Sequence, residues 1–342
     1  MEIDKKYFLG YRRLSILLAA VFLLGGLGGW LLHRYETQNL IKLFDTIGPL
    51  RENSTKYNFI NPLLGYKLPE STQFEEYKPL EKKVNDLIQQ KIDSKEADSV
   101  SVYFRDVARG RWVGINESNK YNPASLLKVP LLIAYLKEAA RNPAILNKNL
   151  TFTQAMDSSG SIPFEAPSSL KVGSSYTVQD LLSNMIVNSD NGAKDVLLST
   201  VDPDGLAETY TDLGIINPDS VKGDYLISAK TYALFFSTLY SSTYLDREMS
   251  EKALQLLSQT TFKDGLVAGI PQGTKNSHKF GEHVIADANG NPTTVELHDC
   301  GIIYKDKNPY ILCVMTKGSD AKKLAPIIAD ISRLVYGEVG NE

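Results

Sequence analysis

The sequence predicts an α+β domain of two lobes, preceded by one membrane-spanning helix. Five strand-like segments support the first part: two lie near residue 100 and three follow residue 275, so they flank a long, mainly helical middle. Helical patterns precede the first strand and close the chain, and such terminal helices pack on an antiparallel sheet. A long uncharged stretch near the N-terminus supports the spanning helix.

The composition is that of an ordinary globular protein. The chain is 43% hydrophobic and has a net charge of -3. Its 342 residues are enough for one large domain or two modest domains. No basic run interleaved with aromatic residues occurs, so we expect no nucleic-acid partner. The histidines have no helical metal-site spacing, so we expect them to be structural or exposed, with no metal and no cofactor: His33, His278, His283 and His298.

Residues 14–32 are uncharged and would extend about 28 Å as a helix, close to the hydrocarbon thickness of a bilayer. Basic residues concentrate before this stretch: Lys5, Lys6, Arg12 and Arg13. The positive-inside rule therefore predicts a cytoplasmic tail at 1–13 and an extracytoplasmic location for the rest. A cleaved signal peptide is the alternative, but the run is long for one and lacks a small-x-small exit. We expect an uncleaved, single-pass anchor in the cell membrane.

Residues 33–75 are predicted to be a juxtamembrane linker. A short helix with an apolar side, Leu40 to Ile47, could rest on the bilayer or on the following domain. Helix-breaking and turn-forming residues follow it: Asn61, Pro62, Gly65 and Pro69. The domain is predicted to occupy 76–342.

The predicted elements of this domain follow in order. The apolar positions Leu80, Val84, Leu87 and Ile88 indicate an amphipathic helix. Alternating and β-branched residues predict strands at 100–104, 111–115, 277–286, 295–304 and 310–317, and the chain closes with a helix at 324–336. An Asn289-Gly290 turn is predicted between the third and fourth strands. The active cleft is expected where the sheet and the helical lobe meet.

A mostly apolar helix from Pro123 to Lys137 carries a serine and a lysine one turn apart. Ser125 and Lys128 are at positions i and i+3, so their side chains share a helix face. The helix has almost no polar side and is predicted to be buried. Burial and the positive end of the helix dipole both disfavour charge on Lys128, which makes this lysine a candidate base for the Ser125 hydroxyl.

The S-x-x-K spacing alone is weak, because it recurs at Ser168 and Ser319. Ser168 lies in a loop-like run, and Ser319 is predicted to be the N-cap of the last helix. Two further motifs follow Ser125 in order: Ser189-Asp190-Asn191 and His278-Lys279-Phe280-Gly281. The order S-x-x-K, S-D-N, K-[ST]-G resembles that of class A β-lactamases and penicillin-binding proteins, over about residues 76 to 342.

The resemblance implies a β-lactamase-like fold: a five-stranded antiparallel sheet flanked by terminal helices, plus an all-helical lobe. It also implies roles for individual residues. Ser125 would attack a carbonyl carbon while Lys128 takes its proton, and Ser189 would relay a proton to the leaving nitrogen beside Lys279.

Substrate contacts are implied as well. Asn191 would hold the substrate's side-chain amide, and the Lys279-Phe280-Gly281 strand would line the site. The backbone N–H groups of Ser125 and Glu282 would form the oxyanion hole. Asp190 is expected to brace its loop rather than touch substrate.

Two departures from the family pattern matter. Phe280 replaces the usual Thr or Ser and cannot donate a hydrogen bond to a substrate carboxylate, although Lys279 keeps its charge. The family's deacylating glutamate has no counterpart, since no glutamate lies between Leu213 and Asp246. Asp219 and Asp224 are candidate replacements only if their loop folds inward, and turn residues of this kind are more often structural.

Three functions stay open. The leading hypothesis is a β-lactamase-like serine hydrolase that opens the amide of β-lactams through a Ser125 acyl-enzyme. The first alternative is a D,D-carboxypeptidase or peptidase acting on D-alanyl-D-alanine stems of peptidoglycan. The second is a non-catalytic recognition module of the cell envelope.

Two smaller predictions concern the last hairpin and the cleft rim. A two-residue loop at Asp306-Lys307 would place Cys300 and Cys313 directly opposite each other, whereas a loop one residue longer would separate them. Outside the cytoplasm a disulfide is permitted, and two buried thiols are the alternative. Tyr121, four residues before Ser125, could rim the cleft.

Overall fold

The computed structural model describes residues 25–30, 49–51, 57–66, 77–153, 164, 170–287 and 292–340. The chain divides into two compact units, 1–48 with 66–68 and 49–65 with 69–342. Of the predicted membrane span 14–32, only 25–30 are described, and they are helical. The predicted cytoplasmic tail, the Leu40 to Ile47 helix and the Asn289-Gly290 turn lie outside the described residues. Within the described ranges, no helix is both long and apolar enough to cross a bilayer.

The second unit contains eight α-helices among its described residues, numbered here in chain order. They are α1 (Lys78–Asp93), α2 (Lys128–Arg141), α3 (Val178–Val187), α4 (Asn191–Leu198), α5 (Pro203–Thr211), α6 (Ala229–Ser241), α7 (Arg247–Ser258) and α8 (Ala321–Glu338). Polar side chains begin several of them. Thr177 Oγ1, for example, accepts a hydrogen bond from the Asp180 backbone N–H at 3.1 Å. Asp320 caps α8, so the prediction that Ser319 is the cap is wrong by one residue.

The strands are β1 (Pro49–Arg51), β2 (Leu63–Tyr66), β3 (Ser99–Asp106), β4 (Trp112–Ile115), β5 (Lys120–Tyr121), β6 (Asn149–Thr151), β7 (Ser175–Thr177), β8 (Ile227–Ser228), β9 (Asn276–Ala286), β10 (Pro292–Ile303) and β11 (Tyr310–Gly318). Five of them form the main sheet in the order β4-β3-β11-β10-β9. Every neighbouring pair in it is antiparallel, which confirms the predicted five-stranded sheet.

Each face of the sheet has its own buried core. Along β3, Val102 and Phe104 pack with the terminal helices α1 and α8, whereas Tyr103 packs into the core of the helical lobe. This follows from the two-residue period of a strand, which sends successive side chains to opposite faces. Strand β9 is an edge of the sheet, so one of its sides is left for the active cleft.

Cys300 and Cys313 are directly opposite each other on β10 and β11. The strands are connected by the six residues 304–309, so the prediction of a two-residue loop is wrong. The connection is nevertheless centred on Asp306-Lys307, which keeps the two cysteines opposite each other. The two cysteines are buried and form a disulfide, so the first of the two alternatives holds. The disulfide joins β10 to β11. Cys300 is also the register partner of Lys279 on β9.

Candidate active site

Ser125 lies in a 3-10 turn, residues Ala124–Leu127, that leads directly into α2. Ala124 has a φ of +48°, so the chain enters the turn through the left-handed region. The Tyr232 hydroxyl, itself buried, donates a hydrogen bond to Leu126 O at 2.9 Å and holds the turn from the helical lobe. The Ser125 side chain is therefore fixed at the N-terminal end of a buried helix, and it is 6% exposed.

Lys128 is the first residue of α2 and is 1% exposed. Its Nζ lies 2.8 Å from Ser125 Oγ and 3.0 Å from Ser189 Oγ, and it also donates to the Ser189 carbonyl oxygen. An ammonium has three N–H donors and is costly to bury without acceptors, and here three oxygens surround it. The predicted contact between Ser125 and Lys128 is present.

Ser189 follows the end of α3 and has a φ of +56°, which directs both its hydroxyl and its carbonyl oxygen toward Lys128. The next residue, Asp190, is the N-cap of α4, and its Oδ1 accepts a hydrogen bond from the Ala193 N–H at 2.9 Å. Asp190 therefore braces the loop, as the sequence predicts. Asn191 is the first residue of α4 and is half-buried.

Lys279 reaches the same hydroxyl from the edge strand β9. Its Nζ donates to Ser189 Oγ at 2.9 Å and to Phe280 O at 3.0 Å, and the residue is fully buried. A hydroxyl oxygen has two lone pairs, so the N–H donors of the two lysines occupy both. The Ser189 proton is consequently left to be donated to another atom, which is what a proton relay to a leaving group requires.

Gly281 allows β9 to lie against the turn that carries Ser125. A Cβ at this position would be 2.6 Å from Pro123 O and 3.1 Å from Leu126 N, so any side chain would push the strand away. This close approach is needed for an oxyanion hole formed by the backbone N–H groups of Ser125 and Glu282. The pairing of those two groups around an oxyanion stays a prediction.

Comparison with known proteins identifies the family of the domain. A model of the β-lactamase enzyme family matches residues 79–339. The chain belongs to the β-lactamase enzyme family. No curated protein sequence shows significant similarity to it.

Solved structures with the same fold include PBP-A, at a TM-score of 0.64 and 20% identity, covering 79% of this chain and 98% of the other. A class A β-lactamase from Mycobacterium abscessus matches with a TM-score of 0.63 and 19% identity, and the match covers 74% of this chain and 98% of the other. A β-lactamase from Chitinophaga pinensis matches with a TM-score of 0.64 and 18% identity, and the match covers 76% of this chain and 99% of the other. These likenesses show that the domain has the β-lactamase fold.

Phe280, which the motif resemblance places at the family's Thr or Ser position, has a buried ring. The ring stacks on Phe262 with centroids 4.3 Å apart and an interplanar angle of 23°. The Lys279 Nζ lies 4.1 Å from the centroid of the same ring. Glu282 is 2% exposed, and its Oε2 accepts a hydrogen bond from the Phe164 backbone N–H at 2.9 Å.

The two candidate deacylation bases are exposed, whereas this cluster is buried. Asp219 is an exposed residue of the 3-10 turn Pro218–Ser220, and Asp224 is exposed in the following loop. No hydrogen bond or ion pair joins either carboxylate to Ser125, Lys128 or Ser189. Throughout the described ranges, no group of three or more His, Cys, Asp or Glu side chains is arranged to hold a metal.

Sequence reasoning missed the residues that hold the chain just before the nucleophile. The Asn122 N–H donates to Glu296 Oε2 at 2.8 Å, and Asn122 O lies 3.0 Å from His298 Nε2. The Thr316 N–H donates to His298 Nδ1 at 3.3 Å, so Nδ1 is the acceptor and Nε2–H donates to Asn122. Burial lowers the pKa of His298 to about 4, which keeps the ring neutral. No motif marks these residues.

Tyr121 does not rim the cleft, contrary to the sequence-based suggestion. It is 2% exposed, and its hydroxyl lies 2.7 Å from Ser99 Oγ and 2.9 Å from Ser101 Oγ. Burial raises the pKa of the phenol. Tyr121, three positions before the turn that carries Ser125, packs inward because β5 pairs with β8 and the Tyr121 ring meets the His298 ring of β10 edge to face.

Proposed function

We propose that this member of the β-lactamase family is an acyl-serine hydrolase that opens the amide of β-lactams through Ser125. One observation carries the proposal: Lys128 Nζ lies within hydrogen-bond distance of both Ser125 Oγ and Ser189 Oγ, in a cluster that is almost wholly buried. A buried lysine placed between two serine hydroxyls is the arrangement of an activated nucleophile and a proton relay.

The proposed acylation follows from these contacts. Lys128, neutral in the reactive form, accepts the proton of Ser125 Oγ as that oxygen bonds to the carbonyl carbon. The carbon–nitrogen bond then breaks, and the leaving nitrogen takes the proton of Ser189, which is replenished from Lys128. Lys279 holds the Ser189 oxygen in position throughout. Water later hydrolyses the acyl-serine and restores the Ser125 hydroxyl.

A penicillin-binding activity on D-alanyl-D-alanine peptides is the second candidate. The specific observation in its favour is the lack of glutamate between Leu213 and Asp246, together with the exposed positions of Asp219 and Asp224. The two candidates share the acylation step and differ in how fast water releases the product. A mutant of PBP-A, one of the proteins with the same fold, has been solved as an acyl-enzyme complex with penicillin-G.

We also propose that the domain is anchored to the cell membrane by residues 14–32 and acts outside the cytoplasm. The uncharged span and the preceding basic residues support the orientation. The Cys300–Cys313 disulfide supports an oxidising compartment. Accessibility of a cysteine introduced near residue 40 to a membrane-impermeant maleimide in intact cells tests this topology, and protection of that cysteine would contradict it.

The decisive experiment is intact mass spectrometry of the full-length protein in detergent after mixing with a penicillin. Ser125→Ala is the control. A transient adduct with consumption of the antibiotic supports the β-lactamase activity, and a stable adduct supports the penicillin-binding activity. No adduct on the wild type would leave the non-catalytic recognition module as the better hypothesis.

A further inference from the structure

The ammonium of Lys279 is enclosed by neighbouring atoms. Its Nζ donates to Ser189 Oγ at 2.9 Å and to Phe280 O at 3.0 Å, and it faces the Phe280 ring at 4.1 Å from the centroid. The residue is fully buried. The electron-rich face of an aromatic ring attracts a cation and at the same time occupies the space in which an anion would otherwise lie. A substrate carboxylate therefore has no direct access to this charge through the ring.

The Phe280 ring is held where it is. It is 2% exposed and stacked on Phe262, and Phe262 in turn meets Phe164 edge to face with centroids 5.2 Å apart. Moving the Phe280 ring off Lys279 would break the stack and expose apolar surface. The cover over the ammonium is thus part of the packed structure of β9.

The same strand face presents a carboxyl group rather than a second cation. Phe280 and Glu282 are two positions apart on β9 and therefore lie on one side of the strand. The Glu282 carboxyl is buried and accepts the Phe164 N–H. The other lysine of the cluster, Lys128, is only 1% exposed. Neither the ring nor the carboxyl group provides an attraction for a negatively charged substrate.

We propose that Phe280 makes this site indifferent to a carboxylate on the substrate. Amides or esters that carry an uncharged group beside the scissile bond would acylate Ser125 as readily as the corresponding carboxylates. The inference rests on the proposed acyl-serine function and names its substrate class. Acyl compounds without that negative charge are consequently substrates of this enzyme.

The test compares the acylation rate constants of the full-length enzyme for benzylpenicillin and for its methyl ester, followed by intact mass. A site that pairs the substrate carboxylate with an accessible ammonium loses about tenfold to a hundredfold on esterification. Here the two rate constants should agree within about threefold, and the rate with the acid should change little between low and high salt.

Phe280→Thr removes the ring from Lys279 and supplies a hydroxyl. We expect this substitution to raise the acylation rate with benzylpenicillin about tenfold relative to the rate with its methyl ester. Phe164→Leu is the matched control, because it removes a ring from the same aromatic cluster but leaves the Phe280–Phe262 stack and the Phe280 ring over Lys279, so the acid-to-ester ratio should stay at the wild-type value. If Phe280→Thr does not fold, the proposal is still tested by the ratio of the wild-type acylation rate constants for acid and ester, and by the salt dependence of the rate with the acid.

The outcomes separate the two proposals. A wild-type preference for the acid of tenfold or more, with the expected salt dependence, would overturn the indifference to charge while supporting the acyl-serine function. An adduct on Ser125 with neither compound would overturn the acyl-serine function, and the inference about its substrates with it.

Discussion

Lys128 Nζ lies 2.8 Å from Ser125 Oγ, and the lysine that makes this contact is 1% exposed. We expect Lys128→Met to lower the acylation rate by about a hundredfold to ten-thousandfold, the usual contribution of a general base. Methionine fills a similar volume without burying a charge, so the melting temperature should be equal or higher. Stopped-flow acylation and thermal unfolding measure the two effects. Acylation within tenfold of wild type would mean that Lys128 is not the base.

Ser189→Ala removes the oxygen on which both lysines converge. Because two buried ammonium groups each lose an acceptor, we expect a loss of about 1–3 kcal/mol in the free energy of unfolding. The acylation rate should fall by about a hundredfold as well, because the proton relay is lost. Thr177→Ala is a control, since it removes the N-cap of the preceding helix at a cost of about 1 kcal/mol. An equal loss of activity in the control would indicate that Ser189 acts only through stability.

Gly281→Ala tests the approach of β9 to the nucleophile turn. The new methyl group would lie 2.6 Å from Pro123 O, so the strand must move. We expect a loss of about 1–3 kcal/mol in stability and a marked fall in acylation rate. Gly337→Ala, in α8 with nothing within 4 Å of the new methyl, should be neutral or slightly stabilising. Full activity of Gly281→Ala would contradict the role assigned to the close approach.

The neutral His298 predicts a specific pH dependence of stability. Its pKa is about 4 in the folded protein against 6.5 for the ordinary group, so between these values the unfolded chain binds more protons. The neutral His298 ring therefore contributes to the free energy of unfolding in full above pH 6.5. This contribution, about 3 kcal/mol in all, is lost as the pH falls toward 4. Urea unfolding at pH 7 and pH 4.5 measures it. His298→Gln should show a shallower decline, and identical slopes would refute the assignment.

Asp219→Asn and Asp224→Asn test whether either carboxylate activates water. Both side chains are exposed, whereas the Ser125 cluster is buried, so we expect the deacylation rate of each variant to stay within about twofold of wild type. The rate of loss of the acyl adduct, followed by mass spectrometry, measures this. A drop of a hundredfold in either variant would identify that aspartate as the deacylation base.

Local patterns in the chain were sufficient to predict most of the fold. A buried face imposes a repeat on the sequence, and this repeat predicted the apolar helix after Ser125 and several strands. Those strands are β3, β9, β10 and β11. Ser125 and Lys128 could be paired in advance because one helical turn brings residues at i and i+3 together. The ordered motifs then indicated that Ser189 and Lys279 join them, and they do.

Other features depended on which distant residues meet. Nothing near Phe280 in the chain shows that its ring stacks on Phe262 and covers Lys279. Likewise, His298 and Glu296 form hydrogen bonds with the backbone of Asn122, more than 170 positions away in the sequence. Tyr232, on another helix, donates a hydrogen bond to Leu126 O.

The amino-acid sequence therefore determined the elements and the reactive groups, because periodicity and spacing act over a few residues. The tertiary structure decided which charges are enclosed and which backbone groups are held, because those depend on contacts between segments that no local pattern encodes.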